Sequence, residues 1–316
     1  MKIIVCNIGS SSFKFQLLDM AAEQRLARGH VDRVGTDNGV ITYWVAGDKV
    51  FEKEMAIPTH REAVQHALDF LTQSDHAVLQ SLRECDAVGF KTIQAGERNG
   101  SVLLSDDVLQ AMENYKSLAP AHNPPYLTAI YMFREMLPDT PLVGVFEPGF
   151  HTTVPRYAKI YGTPYDWIEQ HHVVRYGYHG ASHRYVTEET VKALKCAPDH
   201  KIISCHLGGS SSICACKNGV SVDVSMGFSP QSGLVQGARV GDIDPFVLSY
   251  IMERKGITLE EALDELAKRG GLLGLSGVSA DMRDINAAIR QGNERARLAR
   301  DKFIYDIKRY IGEYIV

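Results

Sequence analysis

The sequence is poor in several features that mark specialised classes of protein. Its apolar runs are far shorter than the roughly 18 residues that a membrane-spanning helix needs. Positive charge is not in excess, because 34 Lys and Arg stand against 38 Asp and Glu, a formal net charge of −4. The chain therefore lacks the basic field typical of proteins that bind nucleic acids or anionic membranes. We predict no nucleic-acid partner and no membrane partner.

Cysteine is also sparse, with six scattered residues. The first residues turn polar at Asn7, too early for a secretory leader, so we expect reduced thiols and a cytoplasmic protein. Cys214 and Cys216 form a Cys-X-Cys motif in a predicted strand, and we expect their side chains to point to opposite faces. No further ligand follows at a usable spacing, so a structural role is favoured over a zinc site.

What is present is ordinary for a globular protein: 45% hydrophobic and 23% charged residues over 316 positions. This length suggests about two domains. Apolar strands alternate with helical patterns, which predicts an α/β fold. The predicted divisions are an N-terminal domain over 1–150, a connecting segment over 151–200 and a C-terminal nucleotide-binding domain over 201–316. Residues 152–180 are rich in Tyr, His, Pro and Gly and are predicted to be irregular.

One local pattern occurs twice. Residues 3–12 read IIVCNIGSSS, and residues 202–212 read IISCHLGGSSS. Each copy is a short apolar strand, a Gly/Ser tip and a returning strand, which predicts a β-hairpin. Gly and Ser expose backbone N–H groups and hydroxyls that can surround phosphate oxygens. Two such tips facing each other across a cleft would hold the phosphates of a nucleotide. The chain has neither a P-loop nor a G-x-G-x-x-G motif after a strand.

Short polar clusters follow several predicted strands, at residues 89–97, 146–151, 175–183 and 237–245. They supply a cation at Lys91, a carboxylate at Glu147, an imidazole at His179 and a guanidinium at Arg239. This set suits phosphoryl transfer, in which catalysis is mostly positioning and charge neutralisation.

Other interpretations of the same residues remain open. Lys91 or Arg239 in a Gly-rich turn is more often a solvated surface charge. Glu147 before a proline is able to cap a turn. His179 and His183 lie four residues apart and suit one face of a metal site, although helix-capping or core histidines are the commoner case.

Several longer motifs resemble the acetokinase family of short-chain fatty-acid kinases. They are residues 7–14 (NIGSSSFK), 118–124 (LAPAHNP), 175–185 (RYGYHGASHRY), 206–210 (HLGGS), 225–230 (SMGFSP), 241–245 (GDIDP) and 276–283 (SGVSADMR). The resemblance implies a duplicated, actin-like ATPase fold of the ribonuclease H-like type, with two domains around a cleft. It also implies a homodimer that transfers phosphate between ATP or ADP and a short-chain carboxylate or acyl phosphate, with Mg2+.

The same resemblance implies roles for individual residues. Asn7 would lie near Mg2+. His179 and Arg239 would stabilise the transferring phosphoryl group. Lys91 and Glu147 complete the candidate catalytic set: Lys91 would neutralise charge on the phosphoryl group, and Glu147 would orient the acceptor oxygen or help to hold a metal-bound nucleotide. The nucleotide would be contacted by Lys14, His206, Leu207, Gly208, Gly209, Ser210, Asp281, Met282 and Arg283. The carboxylate would be contacted by Lys91, Ile93, Ala121, Tyr178 and Pro230.

The chain departs from the family pattern in three ways. Lys91 stands where the family has arginine, and Glu147 stands where it has aspartate. The family also continues beyond the position of Val316 with a Gly-rich adenosine loop and a late glutamate near Mg2+. We therefore expect a second domain that is C-terminally incomplete. An alternative function is a truncated or impaired paralogue that binds nucleotide or acyl phosphate without efficient turnover.

Overall fold

A computed structural model describes residues 1–9, 11–116 and 123–316. The chain divides into two compact units, Met1–Gly149 (unit 1) and Phe150–Val316 (unit 2). Unit 2 is described in full.

Unit 1 contains a large mixed sheet. Its strands, in the described part of the unit, are β1 (Lys2–Ile8), β2 (Ser12–Asp19), β3 (Gln24–Asp32), β4 (Thr36–Val45), β5 (Asp48–Ile57), β6 (Ala87–Thr92), β7 (Gly100–Leu103) and β8 (Leu142–Phe146). Their order across the sheet is β5-β4-β3-β2-β1-β6-β8-β7. The strands β1, β6 and β8 run parallel, and the other pairs are antiparallel. The β1–β2 pair is the first predicted hairpin.

Helices cover part of this sheet. They are α1 (His60–Gln73), α2 (Asp106–Asn114) and α3 (Asn123–Met136), and a short 3-10 turn occupies Leu82–Glu84. The α1 helix begins where the Thr59 hydroxyl accepts hydrogen bonds from the backbone N–H groups of Arg61 and Glu62. Both α1 and α3 contact the first hairpin. Burial along β2 alternates, with Phe13, Phe15 and Leu17 in the core, as expected for a strand with one covered face.

Unit 2 contains a smaller antiparallel sheet of order β11-β10-β9, built from β9 (Lys201–Leu207), β10 (Ser211–Lys217) and β11 (Val220–Val224). The β9–β10 pair is the second predicted hairpin. The helices of the unit are α4 (Arg156–Lys159), α5 (Tyr165–His171), α6 (Gly180–Leu194), α7 (Phe246–Lys255), α8 (Leu259–Lys268), α9 (Gly271–Ser276), α10 (Met282–Arg290) and α11 (Glu294–Ile315). A 3-10 turn at Glu147–Thr153 contains the point where the two units divide.

The prediction that residues 152–180 are irregular was wrong in part. The segment contains α4 and α5, each preceded by a proline at its N-cap position, Pro155 and Pro164. Proline close to a helix start fits, because its fixed φ is already helical and it has no N–H to leave unpaired. The two prolines mark helix starts here.

The two faces of the unit 2 sheet differ in chemistry. On one face Ile213 packs with Leu234 and Tyr310, and α11 contacts β10. On the other face Cys214 and Cys216 are buried with Val224, while α6 contacts β9. The β10 strand is buried at six consecutive positions, Ser211 to Cys216. Helices therefore cover this hairpin on both faces.

The expectation that Cys214 and Cys216 point to opposite faces was wrong. Side chains two residues apart on a strand lie on the same face. The two Sγ atoms are 3.6 Å apart, and both thiols are free. Thr187 of α6 contacts the Sγ atom of Cys216 at 3.3 Å, so the pair belongs to the α6 side of the sheet.

Among the residues that the structure describes, no helix is both long enough and apolar enough to cross a membrane.

Candidate functional site

Three predicted site residues of unit 1 follow neighbouring parallel strands. Asn7 lies near the end of β1, Lys91 near the end of β6, and Glu147 directly after β8. The register pairs Cys6 with Phe90 and Lys91 with Val145, so the three strand ends lie side by side. The carboxyl ends of parallel strands are the usual place for a ligand site in an α/β sheet.

Lys91 and Glu147 form an ion pair. The Nζ atom of Lys91 lies 3.1 Å from the Oε1 atom of Glu147, whose side chain is only 5% exposed. The Oε2 atom of Glu147 is buried, and no other described residue provides it with a hydrogen-bond partner. Lys91 is therefore not a free surface charge.

Asn7 is held by a tyrosine from α3. Its Oδ1 atom accepts a hydrogen bond of 3.1 Å from the Tyr126 hydroxyl, which accepts one from the backbone N–H of Ile8. Burial is the main cause that raises the pKa of Tyr126, and the negative charge of Glu147 raises it further. The side-chain carbonyl of Asn7 and the Oε2 atom of Glu147 are hard oxygen ligands. Mg2+ prefers such ligands, and it usually binds one or two from the protein and fills its other positions with water and phosphate oxygens. The donor set thus fits Mg2+.

The remaining predicted residues of unit 1 lie nearby in the chain. Lys14 pairs across the hairpin with Asn7 and is exposed. Ile93, just beyond β6, is buried with 7% exposure. Ala121 lies outside the described residues.

In unit 2 a partly buried cation, Arg239, contacts the second Gly/Ser tip. The Nη1 atom of Arg239 donates to the Ser210 hydroxyl at 2.9 Å and lies 3.4 Å from the backbone oxygen of Pro230. Ser210 in turn donates to the buried Gln236 amide at 2.8 Å. Burial lowers the pKa of the Arg239 guanidinium, but its usual value is so high that it stays charged. Gly208 and Gly209 of the tip are exposed, and apart from its two chain neighbours no described residue has an atom within 4 Å of the position of a Gly209 Cβ.

The segment before α6 brings His179 to the same sheet. Gly177 has φ +76, and a Cβ there would approach Val224 within 2.6 Å and His151 within 2.7 Å, so only glycine fits. The Tyr178 hydroxyl donates to the backbone oxygen of Phe228 at 2.8 Å. His179 itself adopts a left-handed φ of +57 at the helix N-cap position. Non-glycine residues held in this region cluster at functional sites.

His179 lies against the second hairpin. Its ring stacks on that of His206, with centroids 4.0 Å apart. His206 also contacts the Ser182 hydroxyl through Nδ1 at 2.9 Å. Leu207, which ends β9, is half exposed and leads into the tip. The structure therefore brings together His179, His206, the tip and Arg239.

The residues predicted for the nucleoside end lie at the start of α10. Asp281 caps this helix and forms an ion pair with Arg283, which holds the pKa of Asp281 at about 2. Met282 is the first residue of α10. A Cβ on Gly237 would lie 3.0 Å from the Gly209 oxygen and 3.1 Å from the Ala280 oxygen. Gly237 thus allows the tip and the start of α10 to approach each other.

Two histidines beside this group are buried and neutral. Burial lowers the pKa of His151 to about 4 and that of His183 to about 3, with smaller contributions from nearby cations and histidines. His183 contacts the Ser204 and Ser212 hydroxyls, and His179 occupies the cap position of α6. His183 is thus a core histidine, whereas His179 occupies the cap position without a side-chain capping hydrogen bond. Within the described ranges, no three His, Cys, Asp or Glu residues are arranged as metal ligands.

Sequence reasoning missed the residues that support the predicted ones. Gln236 holds Ser210, Ser212 contacts His179, and Ser221 contacts His151. Ser212 belongs to the repeated Gly/Ser motif, and Gln236 immediately precedes the 237–245 cluster. Their roles depend on contacts distant in the chain, which local patterns do not show.

Comparison with known proteins reveals extended similarity. The acetokinase family profile matches residues 2–316. The acetate kinase of Desulfitobacterium hafniense (strain DCB-2) is 46% identical over 99% of this chain and 79% of that protein. The acetate kinase of Clostridium novyi is 43% identical, with the same two coverages.

Solved structures of related kinases match nearly the whole chain. Porphyromonas gingivalis acetate kinase is 40% identical with a TM-score of 0.88, over 99% of this chain and 79% of that one. A Francisella tularensis propionate kinase is 33% identical with a TM-score of 0.92, over 99% and 80%. The predicted α/β, actin-like fold class is confirmed.

Proposed function

The chain belongs to the acetokinase family, and we propose that it transfers the γ-phosphoryl group of ATP reversibly to acetate or a similar short-chain carboxylate, giving an acyl phosphate and ADP. The family assignment supports a carboxylate kinase. The observation that carries the proposal is the partly buried guanidinium of Arg239 on the Gly/Ser tip, 2.9 Å from the Ser210 hydroxyl. A fixed cation beside the exposed glycines of the tip suits an anion whose charge spreads over several oxygens.

In the proposed reaction a carboxylate oxygen attacks the γ-phosphorus, and the bond from that phosphorus to the leaving oxygen of ADP breaks. Arg239 neutralises charge on the phosphoryl oxygens, and His179 donates a hydrogen bond to them. The tip residues Gly208 to Ser210, with His206, bind the nucleotide phosphates. Asp281 and Arg283 bind near the nucleoside.

In unit 1, Lys91 supplies a positive charge, and Glu147 supplies a carboxylate whose Oε2 atom has no hydrogen-bond partner among the described residues. Asn7 and Glu147 would hold Mg2+. When bound, Mg2+ would neutralise part of the phosphate charge. Lys14, exposed on the first hairpin, contributes a weaker charge to nucleotide binding.

Two further properties belong to the proposal. The six free thiols suit a reducing, cytoplasmic environment. The family resemblance predicts a homodimer, and α7 supports this because it buries no residue and exposes Phe246 by 80% and Tyr250 by 59%. Light scattering after size-exclusion chromatography tests it: we expect twice the mass of one chain, and a monomer at micromolar concentration contradicts it.

The test of the activity uses the purified chain with ATP and Mg2+ and either acetate or propionate. Hydroxylamine traps any acyl phosphate as a coloured hydroxamate. We expect hydroxamate above the blank with at least one carboxylate, and its loss in Arg239→Ala. Nucleotide binding without turnover on any short carboxylate contradicts the proposal.

A further inference from the structure

A chain of hydrogen bonds leads from the partly buried His179 to buried side chains of unit 2. The Nδ1 atom of His179 lies 2.8 Å from the Ser212 hydroxyl, which lies 2.7 Å from Nε2 of His183. Nδ1 of His183 lies 3.0 Å from the Ser204 hydroxyl. His183 and Ser212 have no exposed surface, and Ser204 is 4% exposed. Water therefore does not compete for the contacts of His183 with the two serines.

The number of hydrogen atoms on these three side chains limits how the donors and acceptors can be arranged. Buried His183 is neutral and carries one N–H, and each serine has one O–H. In the first arrangement Ser204 donates to His183, the Nε2–H of His183 donates to Ser212, and Ser212 donates to Nδ1 of His179. In the second arrangement the proton of His183 is on Nδ1, Ser212 donates to His183, and Nδ1 of His179 carries a proton.

The Ser204 hydroxyl distinguishes the two arrangements. In the first, its hydrogen is bonded to His183. In the second, Ser204 accepts from His183, and no other described residue provides an acceptor for its own hydrogen. A buried donor without an acceptor is costly. The first arrangement satisfies every hydrogen of the three residues and is favoured.

We propose that Ser212 is a positioning residue that donates to Nδ1 of His179 and so holds the His179 proton on Nε2. The importance of this tautomer for catalysis rests on the proposed function, because the Nε2–H is then the group that His179 offers to the phosphoryl oxygens. A histidine with the other tautomer would present a lone pair to those oxygens and repel them.

His151 provides an internal reference. Its Nε2 atom lies 3.0 Å from the backbone oxygen of Tyr178, which only accepts, so the proton of this neutral ring is on Nε2. Its Nδ1 atom then accepts from the Ser221 hydroxyl at 2.9 Å. Ser221→Ala is thus a matched control for Ser212→Ala, because each removes a buried hydroxyl from a histidine Nδ1.

The experiment is long-range 1H–15N NMR on the full chain with labelled histidine, with the His179 signals assigned by their loss in His179→Gln. In the wild type we expect a bare Nδ1 and a protonated Nε2 at His179. In Ser212→Ala we expect a mixture of tautomers, in Ser221→Ala the wild-type pattern, and in Ser212→Thr the wild-type pattern restored. A protonated Nδ1 in the neutral wild-type ring overturns the proposal, whether or not the variants fold. An unchanged tautomer in folded Ser212→Ala also overturns it.

Kinetics separate this inference from the proposed function. Ser212→Ala is expected to lower kcat about tenfold, the size of effect expected when one hydrogen bond to the reacting group is weakened, with the KM for ATP within about twofold. A wild type with the expected tautomer but no turnover contradicts the proposed function and leaves the assignment of Ser212 as donor intact. A change confined to KM overturns the positioning role.

Discussion

The two hairpins have closely similar sequences but different surroundings. In β1–β2 one face is covered, Asn7 pairs with Lys14, and Lys14 is exposed. In β9–β10 both faces of β10 are covered, and His206 pairs with the buried Ser212. Each tip is closed by a backbone hydrogen bond, from Gly9 to Ser12 at 2.8 Å and from Gly208 to Ser210 at 3.2 Å.

The difference shows that one local motif serves in two environments. The β1–β2 hairpin carries the exposed Lys14, and a charge exposed to water interacts weakly with its neighbours. The covered hairpin contacts the partly buried Arg239 and the fully buried His151 and His183, and away from water such interactions are stronger and depend on exact partners. We therefore expect changes near the second hairpin to have larger effects than changes near the first.

The largest effect is expected from Arg239→Ala. Removing a preorganised charge from phosphoryl transfer should lower kcat by about 100- to 1,000-fold. The control is Arg297→Ala, since Arg297 forms an exposed pair with Glu294 of the same helix, and this variant should keep wild-type activity. A decrease in kcat of less than about fivefold in Arg239→Ala would contradict the expectation that changes near the second hairpin have the larger effects.

The next effect concerns pH. The pKa values of His151 and His183 are lowered to about 4 and 3 from 6.5, so the unfolded chain binds more protons between these values. Stability is therefore full above pH 6.5 and decreases as the pH falls. Between about pH 6.5 and 5.5 the two histidines should remove about 2 kcal/mol from the free energy of unfolding.

Urea denaturation at the two pH values measures this change. His183→Gln should halve the change in the free energy of unfolding between the two pH values. At the lower pH, hydrogen exchange should increase more in β10 than in β2. A free energy of unfolding that is constant over this range would show that the histidines do not stay neutral.

A smaller effect is expected from the ion pair of unit 1. Lys91→Met leaves Glu147 buried without its counter-charge and should lower the free energy of unfolding by about 1–2 kcal/mol, a value reduced because Lys91 is 45% exposed. Lys91→Arg should retain most of the stability. In the matched control, Lys49→Met removes the exposed pair with Glu52 and should cost below about 0.5 kcal/mol. Equal losses in both variants would argue against a special role for the buried carboxylate.

The smallest effect is expected from Lys14→Ala. An exposed charge contributes about 1 kcal/mol or less, so the KM for ATP should rise about fivefold at most, with kcat nearly unchanged. Gln16→Ala, on the same exposed side of β2, is the control and should leave both constants unchanged. A decrease in kcat as large as that in Arg239→Ala would contradict the expected difference between the two hairpins.

Much of this fold could be predicted from the sequence, because its strongest signals are local. The alternation of Phe13, Phe15 and Leu17 gives β2, and the Gly/Ser tips give both hairpins. Lys91 and Glu147 stand out because polar residues follow apolar strands. The Cys214–Cys216 error was one of strand geometry, and correct use of the two-residue repeat would have avoided it.

The supporting residues could not be predicted in this way. Ser212 and His183 are 29 positions apart and meet only because α6 packs beside β9. Gln236 looks like any polar residue before a glycine until Ser210 is seen to donate to it. These contacts come from tertiary packing, which leaves no periodic signal in a single sequence.

The fate of the γ-phosphoryl group tests the central claim most directly. The 31P NMR spectrum of the purified chain with ATP, Mg2+ and acetate should show an acyl phosphate resonance that grows with ADP in equal amounts, and Arg239→Ala should nearly abolish both. ADP that appears together with inorganic phosphate and without acyl phosphate, with acetate and with propionate, would contradict a carboxylate kinase.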